Sequence, residues 1–368
     1  MKGSRRGRRA PRQYRIAVFP GDGIGPEVVR EGLRVLEKAA SLEAFTYTLK
    51  HYPYGGQHYL DTGELLPPSV VEECRAMDAI YLGAIGDPRL EPGLVERSVI
   101  FSLRFGLDLY VNLRPIVLMA DHLCPIKGKT TADVDLVVVR ENTECVYAGL
   151  GGILKKDTPH EVAVAEMIYT RDGVERCVRY AFELARKRGK KRKVTLVDKA
   201  NAVIAHNLWR RVFARVGEEY PDITKDYAYI DAACMWMVKN PEWFDVIVTP
   251  NLFGDIITDL GAIIQGGMGI AASGNIHPGR VSMFEPIHGS APKYAGQNVA
   301  NPLAAIAAVG MMLDYLGEGA AACRVEGAIR NLLVSGRIPS LEAGILPTTK
   351  IGDLVVEEME RVDPGDGS

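Results

Sequence analysis

Asp255 and Asp259 stand four residues apart in the run NLFGDIITDL, Asn251 to Leu260. On a helix that spacing puts both carboxylates on one face, where they repel unless a cation lies between them. Their neighbours Leu252, Phe253, Ile256, Ile257 and Leu260 are apolar, and a carboxylate in such a setting is costly without a partner. Hard oxygen ligands suit Mg2+ or Mn2+, and Asp231, in YIDAACMWM, is available as a third. The plain alternative is a solvated helix face. Three arginines add the opposite charge: Arg104 in FSLRF, Arg114 in VNLRP and Arg140 in VVVREN. A guanidinium makes paired hydrogen bonds to a carboxylate. One arginine beside a strand is an ordinary ion-pair member; three beside apolar runs indicate a pocket for a substrate with more than one carboxylate. Tyr147 follows Arg140 by seven residues, and Lys199 follows the apolar run KVTLV in the motif VDKAN. A lysine placed directly after a buried strand is a candidate for proton transfer. From the residues alone the chemistry is a metal, a polyanionic substrate and acid–base groups.

Short apolar runs alternate with helical patterns and must carry these groups. Tyr14–Pro20 (YRIAVFP) reads as a buried strand, Gly21–Gly25 as a turn, and Pro26 as a first-turn proline of the helix that continues from Glu27. Further strands are expected at Asp78–Gly83, Val134–Val139, Lys193–Val197 and Phe244–Thr249, with helices at Val174–Lys187 and Asn207–Glu219. Such alternation implies an α/β architecture. The loop PGDGIGPE, Pro20 to Glu27, spaces its glycines as G-x-G-x-G. A conventional dinucleotide fingerprint needs G-x-G-x-x-G and an acidic residue about 20 positions later. A tight strand-to-helix turn explains the loop. Leu303–Leu316, rich in Ala and Met, reads as a core or interface helix.

The chain has 368 residues with 47% hydrophobic and 24% charged residues, enough for two domains or one large one. A net charge of -2 supplies no field for nucleic acid or an acidic membrane. The first 13 residues, MKGSRRGRRAPRQ, hold five Arg and one Lys without an apolar stretch. They read as a disordered basic tail rather than a secretory signal or a nucleic-acid arm. The six cysteines form no C-x-x-C unit, and no apolar run reaches the length of a membrane span. A soluble, cytoplasmic, disulfide-free protein is expected.

The segments PGDGIGPE, LRFGLDLYVNLRP, VVVRENTECVY, VDKAN, NLFGDIITDLG and FEPIHGSAP followed by ANP resemble the β-decarboxylating hydroxy-acid dehydrogenases, the isocitrate/isopropylmalate dehydrogenase family. The resemblance runs from about Arg15 to the last helices. It implies two open α/β domains with a cleft between them, not a conventional Rossmann fold. Residues 14–109 with 267–368 would form the first domain, and 110–266 the second, with the dimer interface. It assigns Arg104, Arg114 and Arg140 to the malate part of the substrate. Asp231, Asp255 and Asp259 become ligands of Mg2+ or Mn2+, Asp231 also meeting substrate, and Tyr147 and Lys199 the catalytic pair. Lys199 and Asp231 would come from the neighbouring subunit of a homodimer. Glu285, His288, Gly289, Ser290, Ala291, Pro292, Lys293, Tyr294 and Asn301 match the cofactor loop. All catalytic and metal residues are present, which speaks against a non-catalytic regulatory subunit.

Substrate choice is expected from ERSVIFSLR, Glu96 to Arg104. Isocitrate-type relatives place a serine and an asparagine here. This chain keeps Ser98 but has Ile100 at the asparagine position, and isoleucine cannot hydrogen-bond a carboxylate. Ile100 and Phe101 match leucines that face the isopropyl group in isopropylmalate enzymes. 3-Isopropylmalate is therefore favoured, with homoisocitrate the main rival and tartrate or D-malate next. NAD-dependent relatives follow HGSAP with aspartate. Here Lys293 and Tyr294 stand in its place, so NAD is expected with NADP possible.

Overall fold

The computed structural model describes residues 12–364. In chain order the elements are β1 (Gln13–Gly21), α1 (Gly25–Glu43), β2 (Thr46–His51), α2 (Gly56–Thr62), α3 (Pro68–Arg75), β3 (Ala79–Ala84), α4 (Leu94–Glu96), α5 (Ser102–Gly106), β4 (Val111–Val117), β5 (Asp135–Glu141), β6 (Gly151–Leu154), β7 (Val162–Ala165), α6 (Arg171–Arg188), β8 (Lys193–Asp198), α7 (His206–Gly217), β9 (Thr224–Tyr229), α8 (Ile230–Lys239), β10 (Val246–Thr249), α9 (Asn251–Ile264), β11 (Ala272–Ile276), β12 (Met283–Pro286), α10 (Leu303–Tyr315), α11 (Gly319–Val334) and α12 (Thr348–Glu358). Strands and helices thus fall close to where apolar runs and helical periodicity placed them. The turn before α1 carries Pro26 in the helix's first turn, where a missing N–H costs nothing.

Ten strands form one sheet in the order β2-β1-β3-β12-β11-β4-β5-β10-β8-β9. Both outer parts are parallel, as strand–helix alternation requires. The centre is not: β11 runs antiparallel to both β12 and β4, and β4 antiparallel to β5. Four apolar cores cover the two faces of the two halves. In the first half, α1, α10, α11 and α12 pack on one face and α3, α4 and α5 on the other. In the second, α6 and α7 cover one face and α8 and α9 the other. α10 is buried along nearly its whole length, as its Ala- and Met-rich sequence suggested.

Three features differ from expectation. The helix expected to set substrate choice is interrupted: α4 passes through a π-helical turn, Arg97–Phe101, before α5. Such turns cluster at functional sites because the extra residue re-aims side chains. β6 and β7 form a separate hairpin whose Ile153, Leu154, Val162 and Val164 are exposed. The basic tail expected over 1–13 falls mainly on residues outside the described ones. Its last two are held: Arg12 pairs with Glu318 at 2.7 Å, and Gln13 opens β1 beside Thr46. Among the described residues no helix is long and apolar enough to cross a membrane.

Candidate active site

The central antiparallel ladders explain how distant residues meet. Asn112 of β4 lies opposite Arg140 of β5, and Asn275 of β11 lies opposite Asn112. Directly paired residues share one face of a sheet. Arg114, two residues after Asn112, shares that face as well. Glu285 of β12 pairs with Ser273, which puts it diagonal to Asn275. A polar row therefore crosses four strands at the seam between the halves. Asn275 donates to Glu285 at 2.7 Å and accepts from Asn112 at 3.0 Å, while Glu285 accepts from Arg104 at 3.0 Å. Asn112 and Asn275 escaped the sequence reading. The signal was present for Asn112, at alternate-residue spacing from Arg114 on one strand.

The arginines converge. Arg114 donates to Asn112 at 2.7 Å and to Thr258 at 2.6 Å, and lies 3.5 Å from Asp255 and 3.8 Å from Asp259. Arg140 donates to Asn251 at 2.9 Å and pairs with Asp255. α9 approaches Arg140 closely because Gly254 lacks a side chain; a Cβ there would press on the Arg140 stem. All three arginines are buried. Burial, and then the neighbouring Arg114, lower the Arg140 guanidinium to about 9. Burial also lowers Arg114, with Arg104 contributing. Cations destabilised in this way favour an added anion. The Nε of Arg104 is buried and has no hydrogen-bond partner among the described residues. These observations fit a carboxylate-bearing substrate.

Asp255 and Asp259 share one face of α9, as their spacing predicted. Their setting is more open than the apolar sequence suggested: the Asp259 side chain is 61% exposed and Ile256 points outward. Burial raises the Asp255 carboxyl, but Arg140 and Arg114 outweigh it and hold it below its ordinary value. Asp259 is pushed up by burial and by Asp255, against the pull of Arg114. A cation between the two carboxylates would relieve that repulsion, so the pair fits a divalent metal. Tyr147 donates to Asp255 at 2.8 Å. Burial and that carboxylate push the phenol up to about 12, so it stays protonated.

Lys199 and Asp231 are brought together with each other, at 2.8 Å, rather than with this group. Lys199 holds the Asp231 carboxyl below its ordinary range. Among the described residues no three His, Cys, Asp or Glu side chains of one chain form a metal cluster. Two of the three expected metal ligands thus lie at one place and the third at another.

Phe101 lies 6.1 Å from Tyr147, ring to ring, with the Arg104 guanidinium 6.0 Å from its centre. Ile100 packs against the first-half core. The Ser98 hydroxyl accepts from the Leu66 N–H at 2.9 Å, which ties it to backbone. The 287–294 loop rests on the glycine turn: Ile24 N–H donates to the Ser290 carbonyl at 2.8 Å, and a Cβ on Gly23 would overlap that oxygen. The glycines therefore serve a close loop–loop approach. Ala291 adopts φ 40°, an uncommon conformation for a non-glycine residue. The buried His288 Nε2 and Asn301 Nδ2 have no hydrogen-bond partners among the described residues. Such orphaned polar atoms fit a polar ligand such as a dinucleotide. The Lys293 ammonium stands 4.6 Å from the Tyr294 ring centre, at an exposed position.

Comparison with known proteins converges on one family. The model of the isocitrate/isopropylmalate dehydrogenases matches residues 15–355. A 3-isopropylmalate dehydrogenase of Thermobifida fusca is 49% identical over 351 residues, covering 95% of this chain and 98% of that protein. One from Frankia casuarinae is 51% identical over 322 residues, covering 87% and 92%. The crystal structure of isocitrate dehydrogenase from Methylococcus capsulatus superposes with a TM-score of 0.84 at 37% identity, covering 94% of this chain and 99% of that one. With the family model spanning nearly the whole chain and relatives near half-identical along it, the chain belongs to the isocitrate/isopropylmalate dehydrogenase family.

Proposed function

We propose that the chain oxidises 3-isopropylmalate with a nicotinamide cofactor and releases its β-carboxylate as CO2, giving 2-oxoisocaproate in leucine biosynthesis. One observation carries the chemistry: Arg114 and Arg140 meet Asp255, Arg114 also lies near Asp259, and the Tyr147 hydroxyl donates to Asp255, while Arg104, paired with Glu285, adds its charge to the same group. The arginines neutralise and orient the two carboxylates of the malate part. A divalent cation, Mg2+ or Mn2+, held by Asp255, Asp259 and Asp231 of a second copy, would supply Lewis acidity to the substrate's oxygen. Lys199, beside Asp231, helps take the 2-hydroxyl proton. Tyr147 returns a proton to carbon after CO2 leaves, which its raised pKa permits.

A homodimer with shared sites completes this reading. Asp231 and the exposed Met235 lie four apart on α8, and exposed Ile256 and Ile263 flank Asp255 and Asp259 on α9. A second copy covering these apolar side chains would carry its Asp231 and Lys199 toward the carboxylate pair. In this reading residues 14–109 with 267–368 form the cofactor domain and 110–266 the substrate and interface domain. The Glu285–Tyr294 loop with Asn301 holds NAD, and exposed Lys293 leaves room for NADP.

Support for the substrate comes from the relatives' names and from Phe101, whose ring neighbours Arg104 and Tyr147, with the apolar Ile100 next to it in the chain. Absorbance at 340 nm, with Mg2+ or Mn2+ and NAD or NADP, tests it against homoisocitrate, isocitrate, D-malate and tartrate. A lead of about tenfold in kcat/KM for 3-isopropylmalate, roughly 1.4 kcal/mol of transition-state preference, supports this substrate. A lead for another acid moves the pathway but keeps the chemistry.

A further inference from the structure

His206 opens α7 and is fully buried. Its ring lies edge-on to Tyr169 and to Phe253, each with centroids 5.3 Å apart. Its Nδ1 accepts from the backbone N–H of Lys199 at 2.9 Å. A nitrogen that accepts carries no hydrogen, so in the neutral ring the proton sits on Nε2. That nitrogen lies 3.0 Å from the Tyr169 oxygen, and Tyr169 lies 3.2 Å from the Cys145 sulfur. The hydrogens then run one way: Lys199 N–H to Nδ1, Nε2–H to the Tyr169 oxygen, Tyr169 O–H to Cys145 Sγ. Burial lowers the imidazole pKa, which favours the neutral ring this direction needs.

The two ends of this series matter. One is the backbone of Lys199, whose carbonyl is also held, by the N–H groups of Ala202 and Val203 at 3.0 and 2.8 Å. The other is Cys145, two residues before Tyr147. Cys145 is buried with φ 71°, a left-handed conformation that surrounding contacts must maintain. Its N–H donates to Ile168 and its sulfur meets Tyr169. Asn251 further braces this loop by donating to the Glu144 carbonyl at 3.2 Å.

We infer that His206 is a positioning residue: through the Lys199 N–H on one side, and Tyr169 and Cys145 on the other, it holds the segments of Lys199 and Tyr147 in one fixed relation. The inference rests on the function proposed above. In a dimer with shared sites, Lys199 acts in one site and Tyr147 of the same chain in the other. The hydrogen-bond series then crosses one subunit from active site to active site.

The test compares His206→Leu, His206→Asn, His206→Gln and Tyr169→Phe in the full chain. The asparagine carbonyl takes the place of Nδ1 and keeps the bond to Lys199. Glutamine reaches toward Tyr169 but leaves the Lys199 N–H unmet. His206→Leu and His206→Gln are expected to lower kcat by about tenfold or more, with KM for 3-isopropylmalate and NAD within about twofold. His206→Asn is expected to recover most of kcat, and Tyr169→Phe to fall between. Variants that fold but keep the wild-type kcat, or Asn no better than Leu, would overturn the inference. Nitrogen-15 histidine spectra of the wild type supply a reading independent of turnover. They should show a neutral His206 protonated on Nε2, and a proton on Nδ1 would overturn the series itself. If the wild type turns over none of the hydroxy acids while the spectra show Nε2–H, the functional reading fails and takes the positioning role with it, though the hydrogen-bond series stands.

Discussion

The Tyr147 hydroxyl donates to one oxygen of Asp255 while the Arg140 guanidinium holds the other. The proposed proton donor, a candidate metal ligand and a proposed substrate-binding cation thus meet on a single carboxylate. Tyr147→Phe is expected to slow the decarboxylation half by about 10²-fold or more. In single turnovers, reduced cofactor should still appear quickly while the protonated keto-acid product, formed after CO2 leaves, lags. Lys199→Met should slow both. Near-normal turnover in either variant contradicts the assigned roles.

Arg140 is held in a fork, with Nε to Asn251 and a terminal nitrogen to Asp255. Lysine cannot reproduce that geometry. Arg140→Lys should raise KM for the hydroxy acid and lower kcat/KM by about 10²-fold, roughly 2.7 kcal/mol. A steady-state comparison at fixed cofactor checks it.

Lys293 is exposed at the end of the proposed cofactor loop. An aspartate there would accept from a ribose 2'-hydroxyl and repel a 2'-phosphate. Lys293→Asp is expected to shift the NAD/NADP ratio of kcat/KM toward NAD by about tenfold or more. An unchanged ratio would remove this position from cofactor choice.

Glu141, next to Arg140, is buried, and burial raises its carboxyl to about 7 despite donors from Thr143 and Glu144. A carboxyl raised in the fold binds its proton more tightly there than in the unfolded chain. Its contribution is present below about pH 4.5 and is lost as pH rises through about 7. At about 1.4 kcal/mol per pH unit of difference, the cost reaches about 3 kcal/mol by pH 8. Melting curves of Glu141→Gln and wild type should diverge in favour of the variant between pH 5 and 8. Parallel curves contradict this.

Much of the site was legible because its chemistry sits in charged residues beside apolar runs. Arg104, Arg114, Arg140, Asp255 and Asp259 could be singled out from type and spacing, and the structure gathers them. Lys199 and Asp231 could be named, but not their pairing with each other, since no spacing connects a strand end to a helix start. Asn112 and Asn275 were missed because their role depends on antiparallel register at the centre of the sheet, while alternation of strands and helices argues for parallel pairing. The π-helical turn at Arg97–Phe101 has no periodic signature in five residues. His206 stands in none of the motifs, and only its neighbours in the fold distinguish it.

The sharing of each site between two chains is the most exposed claim, and mixing two inactive variants tests it most directly. In an Asp255→Asn chain paired with a Lys199→Met chain, one site keeps its own Asp255 and receives an intact Lys199 from the other chain. Co-refolded mixtures assayed with 3-isopropylmalate, NAD and Mn2+ should regain activity that neither variant shows alone, approaching half the wild-type turnover per hybrid dimer. If the hybrid stays inactive while wild type treated in the same way recovers, Lys199 and Asp255 of one chain serve the same site, and the shared active site is contradicted.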